Sequence, residues 1–311
     1  MKKILICFYF LILSVDSDAQ NNVIVGLGSS TYLGELNPYN IPMHSFLGPS
    51  TRWNVGLGYN KQIRSNFQLS TGFSFIRLFG DDNSISPRNE KRELFYLRNL
   101  HFRNDLKEYH LSAKYLFGNN RSFTQNSTFY RPFISIGLAI FNHNPKAKEP
   151  LVDVIAKTDW ISLREERTEG QTTPYMNWGV AFPITVGLQK RINRNVGLQV
   201  ELSYRFTFFD YLDDVSTNYS NTGSLFTNRS AEILGAHSKK DRSTWLLEYV
   251  SDLGYATKYP NQISKEFRDG VPPFDVDGAN RGNPKVNDSY FTTRISFIYF
   301  FKEKTKCPNL N

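Results

Sequence analysis

The sequence predicts an all-β protein, an eight-stranded antiparallel transmembrane β-barrel with long extracellular loops and short periplasmic turns. Three observations predict it. Segments of roughly ten residues alternate apolar and polar side chains, the connections between them alternate short and long, and aromatic residues gather at segment ends as interface girdles do. Aromatics make up 15% of the 311 residues, with 25 Phe and 17 Tyr. Beyond the N-terminus no stretch approaches the ~18 consecutive apolar residues of a spanning helix.

The N-terminus carries an export signal. Lys2 and Lys3 precede the apolar run Ile4–Leu13, and Ser17-Asp18-Ala19 supplies small residues two apart. This is the pattern of a Sec signal peptide, residues 1–20, with cleavage expected after Ala19 or Gln20. Cys7 lies inside the apolar run, which argues against a lipoprotein anchor. The barrel domain then occupies residues 21–311.

Taken in chain order, Val23, Val25 and Leu27 open the set with Gly26 and Gly28 opposite. Trp53, Val55, Leu57 and Tyr59 oppose Asn54, Gly56, Gly58 and Asn60. Phe67, Leu69, Thr71, Phe73 and Phe75 oppose Gln68, Ser70, Gly72 and Ser74. The fourth segment sets Tyr109, Leu111, Ala113, Tyr115 and Phe117 against His110, Ser112, Lys114 and Leu116. In the fifth, Ile134, Ile136, Leu138 and Ile140 oppose Phe133, Ser135, Gly137 and Ala139. In the sixth, Trp178, Val180, Phe182, Ile184, Val186 and Leu188 oppose small or polar residues, Pro183 among them. The seventh is the clearest: Val196, Leu198, Val200, Leu202, Tyr204, Phe206 and Phe208 share one face, and Gly197, Gln199, Glu201, Ser203, Arg205 and Thr207 the other. Phe291, Thr293, Ile295, Phe297, Tyr299 and Phe301 close the barrel. An even strand number suits a single-chain bacterial barrel.

Short hairpins are expected at Asn60–Asn66 and Lys190–Asn195, with a modest turn at Gly118–Tyr130. Long connections follow the first, third, fifth and seventh strands. The seventh carries a polar surface insertion at about 222–270, with an apolar island at Trp245–Val250. Arg98–Arg103 interleaves basic and apolar residues and suggests an ordered hairpin standing above the membrane. A soluble β-sandwich would explain the strands but neither the loop alternation nor the girdles.

An eight-stranded barrel has an interior that side chains just fill. His110, Lys114, Glu201, Arg205 and Arg294 are therefore expected to form a buried polar and ionic core. The reading is a plugged barrel rather than a pore, since a diffusion porin needs sixteen or so strands.

The formal net charge is +8, and loss of the signal peptide removes two lysines and two aspartates, leaving it unchanged. No dense Lys/Arg run suggests nucleic acid. Outer-membrane lipid and lipopolysaccharide are the better anionic partners. No G-x-S-x-G, H-E-x-x-H or paired C-x-x-C is present. His44, His101, His143 and His237 read as solvated or hydrogen-bonding loop residues, and no catalytic residue, metal or cofactor is assigned. Asp275-Val-Asp277-Gly278 lacks the distal Glu of a calcium loop and reads as a turn. Asp210, Asp213 and Asp214 raise the sharper question, because three carboxylates in five positions can hold a metal or act as acid and base. Their position at the exit of the seventh strand places them at the outer rim, where water or bound cations would solvate them. They read as a rim signature, not an active site.

Five strings together support a resemblance: Thr31–Pro38, Arg98–Arg103, Phe141–Lys146, Asp210–Thr217 and Arg281–Lys285. In order and placement they resemble the PorG-like family of Bacteroidota outer-membrane barrels, described as a domain of unknown function and including a component of the type IX secretion system. The resemblance covers nearly the whole mature chain, departing at the longer insertion after the seventh strand. It implies a non-catalytic outer-membrane anchor that docks periplasmic ring proteins resembling PorK and PorN. The tail at 302–311 is basic and is expected in the periplasm. It carries Cys307, the sole cysteine left after signal removal and a candidate tether to such a partner. The alternative is a barrel whose extracellular loops bind a surface ligand or partner outside that pathway.

Overall fold

The computed structural model describes residues 20–37, 48–82, 100–118, 130–148, 160–218 and 281–301. Residues 1–19 of the signal peptide, His44, the 222–270 insertion, His237, Asp275, Asp277 and the Cys307 tail lie outside the described residues.

Eight antiparallel strands close a barrel: β1 (Asn22–Leu33), β2 (Arg52–Arg64), β3 (Phe67–Asp81), β4 (His101–Leu116), β5 (Tyr130–Asn142), β8 (Trp178–Arg191), β9 (Val196–Thr207) and β10 (Ser289–Phe300). Each pairs with its sequence neighbour in the barrel, and β1 with β10 completes the ring from Asn22↔Phe300 to Leu33↔Ser289. Closure leaves no unpaired edge within the ring, as a bilayer demands.

The alternation has its expected cause. Val55, Leu57, Phe73, Ile136, Ile140, Val186, Val200, Ile295 and Phe297 all face outward and exposed. Gln68, Ser74, Lys114, Gln199, Ser203, Arg205 and Arg294 are buried inside. This pattern is inside-out for water and correct for lipid.

Strands of 12 to 16 residues exceed the ~9–11 needed to cross a bilayer, and the excess stands at one end. There β3 and β4 stay paired to Asp81↔His101, as the Arg98–Arg103 string suggests. The connection after β5 holds more order than a loop. It adds β6 (Pro145–Lys148), paired to β4, then β7 (Trp160–Ser162), paired to β6, then a single helical turn, α1 (Leu163–Glu166). At the opposite end the β2–β3 hairpin is tighter than expected: the strands run through most of 60–66 and leave Ser65 and Asn66 as the turn.

At the long-loop end the burial rule reverses. Ile76, Leu78, Phe102 and Leu106 point inward and are fully buried with Tyr32, Leu36, Phe141, Leu212, Val215 and Tyr290. Arg77, Arg103, Asp105 and Lys107 point outward. A conventional apolar core thus caps a polar-filled barrel.

Candidate functional site

The cap has a floor of ionic contacts in the barrel lumen. His110, Lys114, Glu201, Arg205 and Arg294 all line one cavity of about 50 Å³, room for little more than a few waters. Arg205 pairs with Glu108 at 3.0 Å, both buried, and Tyr290 Oη donates to the same carboxylate at 2.5 Å. Arg294 lies 3.6 Å from Glu201 and donates to Asn54 and Ser74. Lys114 Nζ donates to Gln199, which in turn donates to Glu201. Gly56 and Gly72 make room: a Cβ on Gly56 would stand 2.5 Å from the Arg294 guanidinium, and one on Gly72 2.7 Å from the His110 ring. Glu108 is the member that sequence reasoning missed.

Above this floor the loop-end cap gathers the carboxylates. After β9 the chain turns inward through Asp210–Thr217, covered by residues 164–175 from the β5–β8 connection and by 281–288 before β10. Asp213 and Asp214 are both 0% exposed. This corrects the expectation that water solvates them at the rim, because the covering segments bring their own donors. Asp214 accepts from Thr168 Oγ1 at 2.5 Å, Tyr175 Oη at 2.7 Å and Arg281 Nη2 at 3.1 Å. Its backbone is left-handed, with φ of 71°, a conformation Asp tolerates better than most residues and one held here by a carboxylate tied on both oxygens. Arg281 also donates to Glu169 at 2.9 Å, and Glu169 in turn accepts from the backbone N–H of Ser216 and Thr217. Arg281, Glu169 and Asp214 are a fully buried ionic triad.

A second carboxylate group lies alongside. Tyr32 Oη contacts Asp213 Oδ2 at 2.7 Å and Asp288 Oδ1. The phenol has one hydrogen for two carboxylates, so a proton on one of the carboxyls would satisfy the second contact. Burial, with Asp213 next, raises Asp288 well above the usual carboxylate range. Leu212 N–H donates to Asp288 Oδ2, and Ser216 Oγ to Asp210 Oδ2. Burial lifts the Asp210 carboxyl to about 7, against the bond from Ser216. Glu35, Asp210 and Asp288 each bring one oxygen within 4.8 Å of the others. Such a trio can share protons or hold a hard divalent cation.

His101 and His143, expected as solvated or hydrogen-bonding, are buried at 0% and 1% exposure. His143 Nε2 contacts Met176 O at 3.0 Å, its ring packs on Phe141, Tyr175 and Phe209, and desolvation lowers its pKa to about 4. The apolar and aromatic packing thus continues around the ionic triad.

A model of the family DUF6089, a domain of unknown function, matches residues 2–231. No curated protein matches. Among solved structures, Neisserial surface protein A aligns at 9% identity over 92% of this chain and 98% of that one, with a TM-score of 0.38. The outer-membrane protein OprG of Pseudomonas aeruginosa aligns at 8% identity over 90% and 96%, with a TM-score of 0.37. The attachment invasion protein Ail of Yersinia pestis, bound to the heparin analogue sucrose octasulfate, aligns at 9% identity over 91% and 98%, with a TM-score of 0.35.

Proposed function

This chain belongs to the DUF6089 family, and from that premise we propose that it is an outer-membrane barrel serving as a non-catalytic anchor and docking component of type IX protein secretion. On this reading the long-loop end faces outward, the short turns face the periplasm, and the 302–311 tail reaches ring proteins resembling PorK and PorN.

One observation carries the docking reading. The strings behind the family resemblance converge in space: Tyr32 from the first, His101 and Phe102 from the second, His143 from the third, Asp213 and Asp214 from the fourth and Arg281 from the fifth all belong to one packed cap. In this chain those strings thus build a packed lid over a filled lumen. Such a lid suits a platform that holds shape against a partner, whereas transport would need a way through. Asp213, Asp214, Asp288 and Glu169 are committed to Tyr32, Tyr175, Arg281 and backbone donors, which supports a structural role for these four.

Deletion of the gene tests the reading directly, with type IX cargo at the cell surface as the readout. Loss of surface cargo is expected, and normal export would reject the secretion role. Co-purification through the C-terminal tail should recover periplasmic ring proteins. A Cys307→Ser chain with the same non-reducing gel mobility as wild type would remove the disulfide tether but leave non-covalent docking. The alternative, a cap that binds a surface partner outside this pathway, draws on the same packed lid. It predicts normal cargo export with loss of partner capture when the cap is disrupted.

A further inference from the structure

Five cations gather on the outer wall formed by β2, β3, β4 and β6: Arg52, Arg77, Arg103, Lys107 and Lys146. Ladder register fixes their height. Leu57, Phe73, Tyr109 and Ile140 form one continuous lipid-facing row. The next row toward the cap is Val55, Phe75, Lys107 and Asn142, so the first cation stands on the edge of the apolar belt. One step higher Arg77 stands opposite Asp105, and the next sets Arg103 between Phe79 and Lys146. From Lys107 to Arg103 the strand climbs about 13 Å. A phospholipid headgroup layer is only roughly 5–8 Å deep, so the wall is taller than that layer and suits a headgroup carrying sugars.

The wall is built rather than merely basic. Arg52 lies over the Phe79 ring at 3.8 Å, Arg77 over Trp53 at 5.2 Å and Arg103 over Trp160 at 4.3 Å. Stacking fixes a guanidinium plane and directs its N–H edges to in-plane acceptors: Arg77 Nε and Nη2 donate to Asp105 and Arg52 Nη1 to the Pro49 and Thr51 carbonyls, so Arg103 is the stacked arginine to which a phosphate is assigned. Asp105 answers Arg77 at 2.5 Å and lies 3.7 Å from Arg103, and Asp81 acts on Arg52. Among the described residues the count still leaves positive charge in excess. Arg103 Nε has no hydrogen-bond partner among the described residues. Arg103 and Lys146 are direct cross-strand partners, and like charges opposed on a ladder are destabilising. An anion between them would turn that cost into a gain.

We propose that this wall binds the phosphorylated sugar headgroup of a glycolipid in the surrounding leaflet, with one phosphate held by Arg103 and Lys146, a second by Lys107 at the belt edge, and acyl chains lying on Phe73, Tyr109 and Ile140. Trp53 and Trp160 offer faces for the sugar rings. The inference rests on the outer-membrane placement proposed above and is independent of the secretion role.

Full-length protein folded in detergent is titrated with bis-phosphorylated lipid A, with its dephosphorylated form and with inorganic phosphate. Saturable binding of the phosphorylated lipid is expected, about tenfold weaker for the dephosphorylated form, with a further drop of about tenfold in R103Q/K146Q, as charge-assisted contacts of this kind carry. Lys190→Gln, at the opposite end of the barrel, is expected to leave binding unchanged. Heat-modifiable gel mobility verifies that each variant is folded, and the single exchange Lys146→Gln at an outward position serves if the double one is not. Equal affinity for both lipid forms, equal loss in Lys190→Gln, or inorganic phosphate binding as tightly as the lipid would each overturn the proposal. Gradient fractionation of cells reads membrane placement separately, so a failed site and a failed placement give different results.

Discussion

Two stretches of the same wall obey opposite rules. In mid-barrel, β9 sends Val200 and Leu202 outward and keeps Gln199 and Arg205 inside. Toward the cap, β4 keeps Phe102 and Leu106 inside and sends Arg103, Asp105 and Lys107 outward. The backbone continues with the same period, and only the medium outside has changed. Where lipid surrounds the barrel, apolar groups gain nothing by burial and polar groups must find partners within. Where water surrounds it, the usual hydrophobic driving force returns. The lumen is therefore held by ion pairs and hydrogen bonds, and the cap by an apolar core with one buried arginine at its hub.

The largest expected effects contrast the two regions. Removing one partner of a buried ion pair costs about 3–5 kcal/mol, because the other charge is left stranded. In Glu108→Ala, Arg205 and Tyr290 lose their shared acceptor, and the unfolding midpoint of the whole barrel should fall. Replacing the pair together, E108L/R205M, should restore most of it. Arg281→Ala removes the hub of the other region, and its damage should stay local. Amide exchange in 164–175 and 210–217 should quicken while the barrel midpoint moves little. Equal midpoint drops in the two variants would show that cap and lumen unfold as one unit.

A smaller effect sharpens the outward half of the comparison. Val200 faces lipid near the middle of β9, and Lys there should cost about 2–4 kcal/mol. Lys107 shows that the same side chain is accommodated on the outer face at the belt edge. Denaturant titration of Val200→Lys in lipid vesicles measures the cost, and a loss well under 1 kcal/mol would place the bilayer elsewhere on the barrel.

The sequence shows the mid-barrel plainly and the cap hardly at all. Seven alternations in Val196–Phe208 cannot be mistaken, since each outward position meets the same lipid. Glu108 escaped because the rule inverts one residue away: with Lys107 outward, the apolar-outward alternation reads only from Tyr109, although the strand begins at His101. The four residues of β6 and the three of β7 are too short to show any period. The burial of Asp214 depends on Tyr175 and Arg281, 39 and 67 residues distant. A carboxylate's surroundings are set by what folds over it, and the local string carries no trace of that cover.

The smallest effect is one of pH, and its sign separates two pictures of the cap. Burial raises Asp210 from 3.8 to about 7 and raises Asp288 well above its ordinary value. In an opened cap both would titrate near their ordinary values. Between about pH 4 and 7 the opened form has therefore released protons that the closed form keeps, so closing takes up protons. The contribution is fully present below the ordinary carboxylate pKa and is lost as pH rises through about 7. Amide exchange of 210–217, corrected for intrinsic rate, should show more protection at about pH 5.5 than at about pH 8. Asp210→Asn should flatten part of this dependence, since an amide cannot ionise and its oxygen still accepts from Ser216. The effect is modest because Asp210 is only half-buried and solvent screens its charge. A cap that loosened on acidification would mean that the closed form holds these carboxylates ionised, and a cation rather than a proton would then have to stand between Asp210, Asp288 and Glu35.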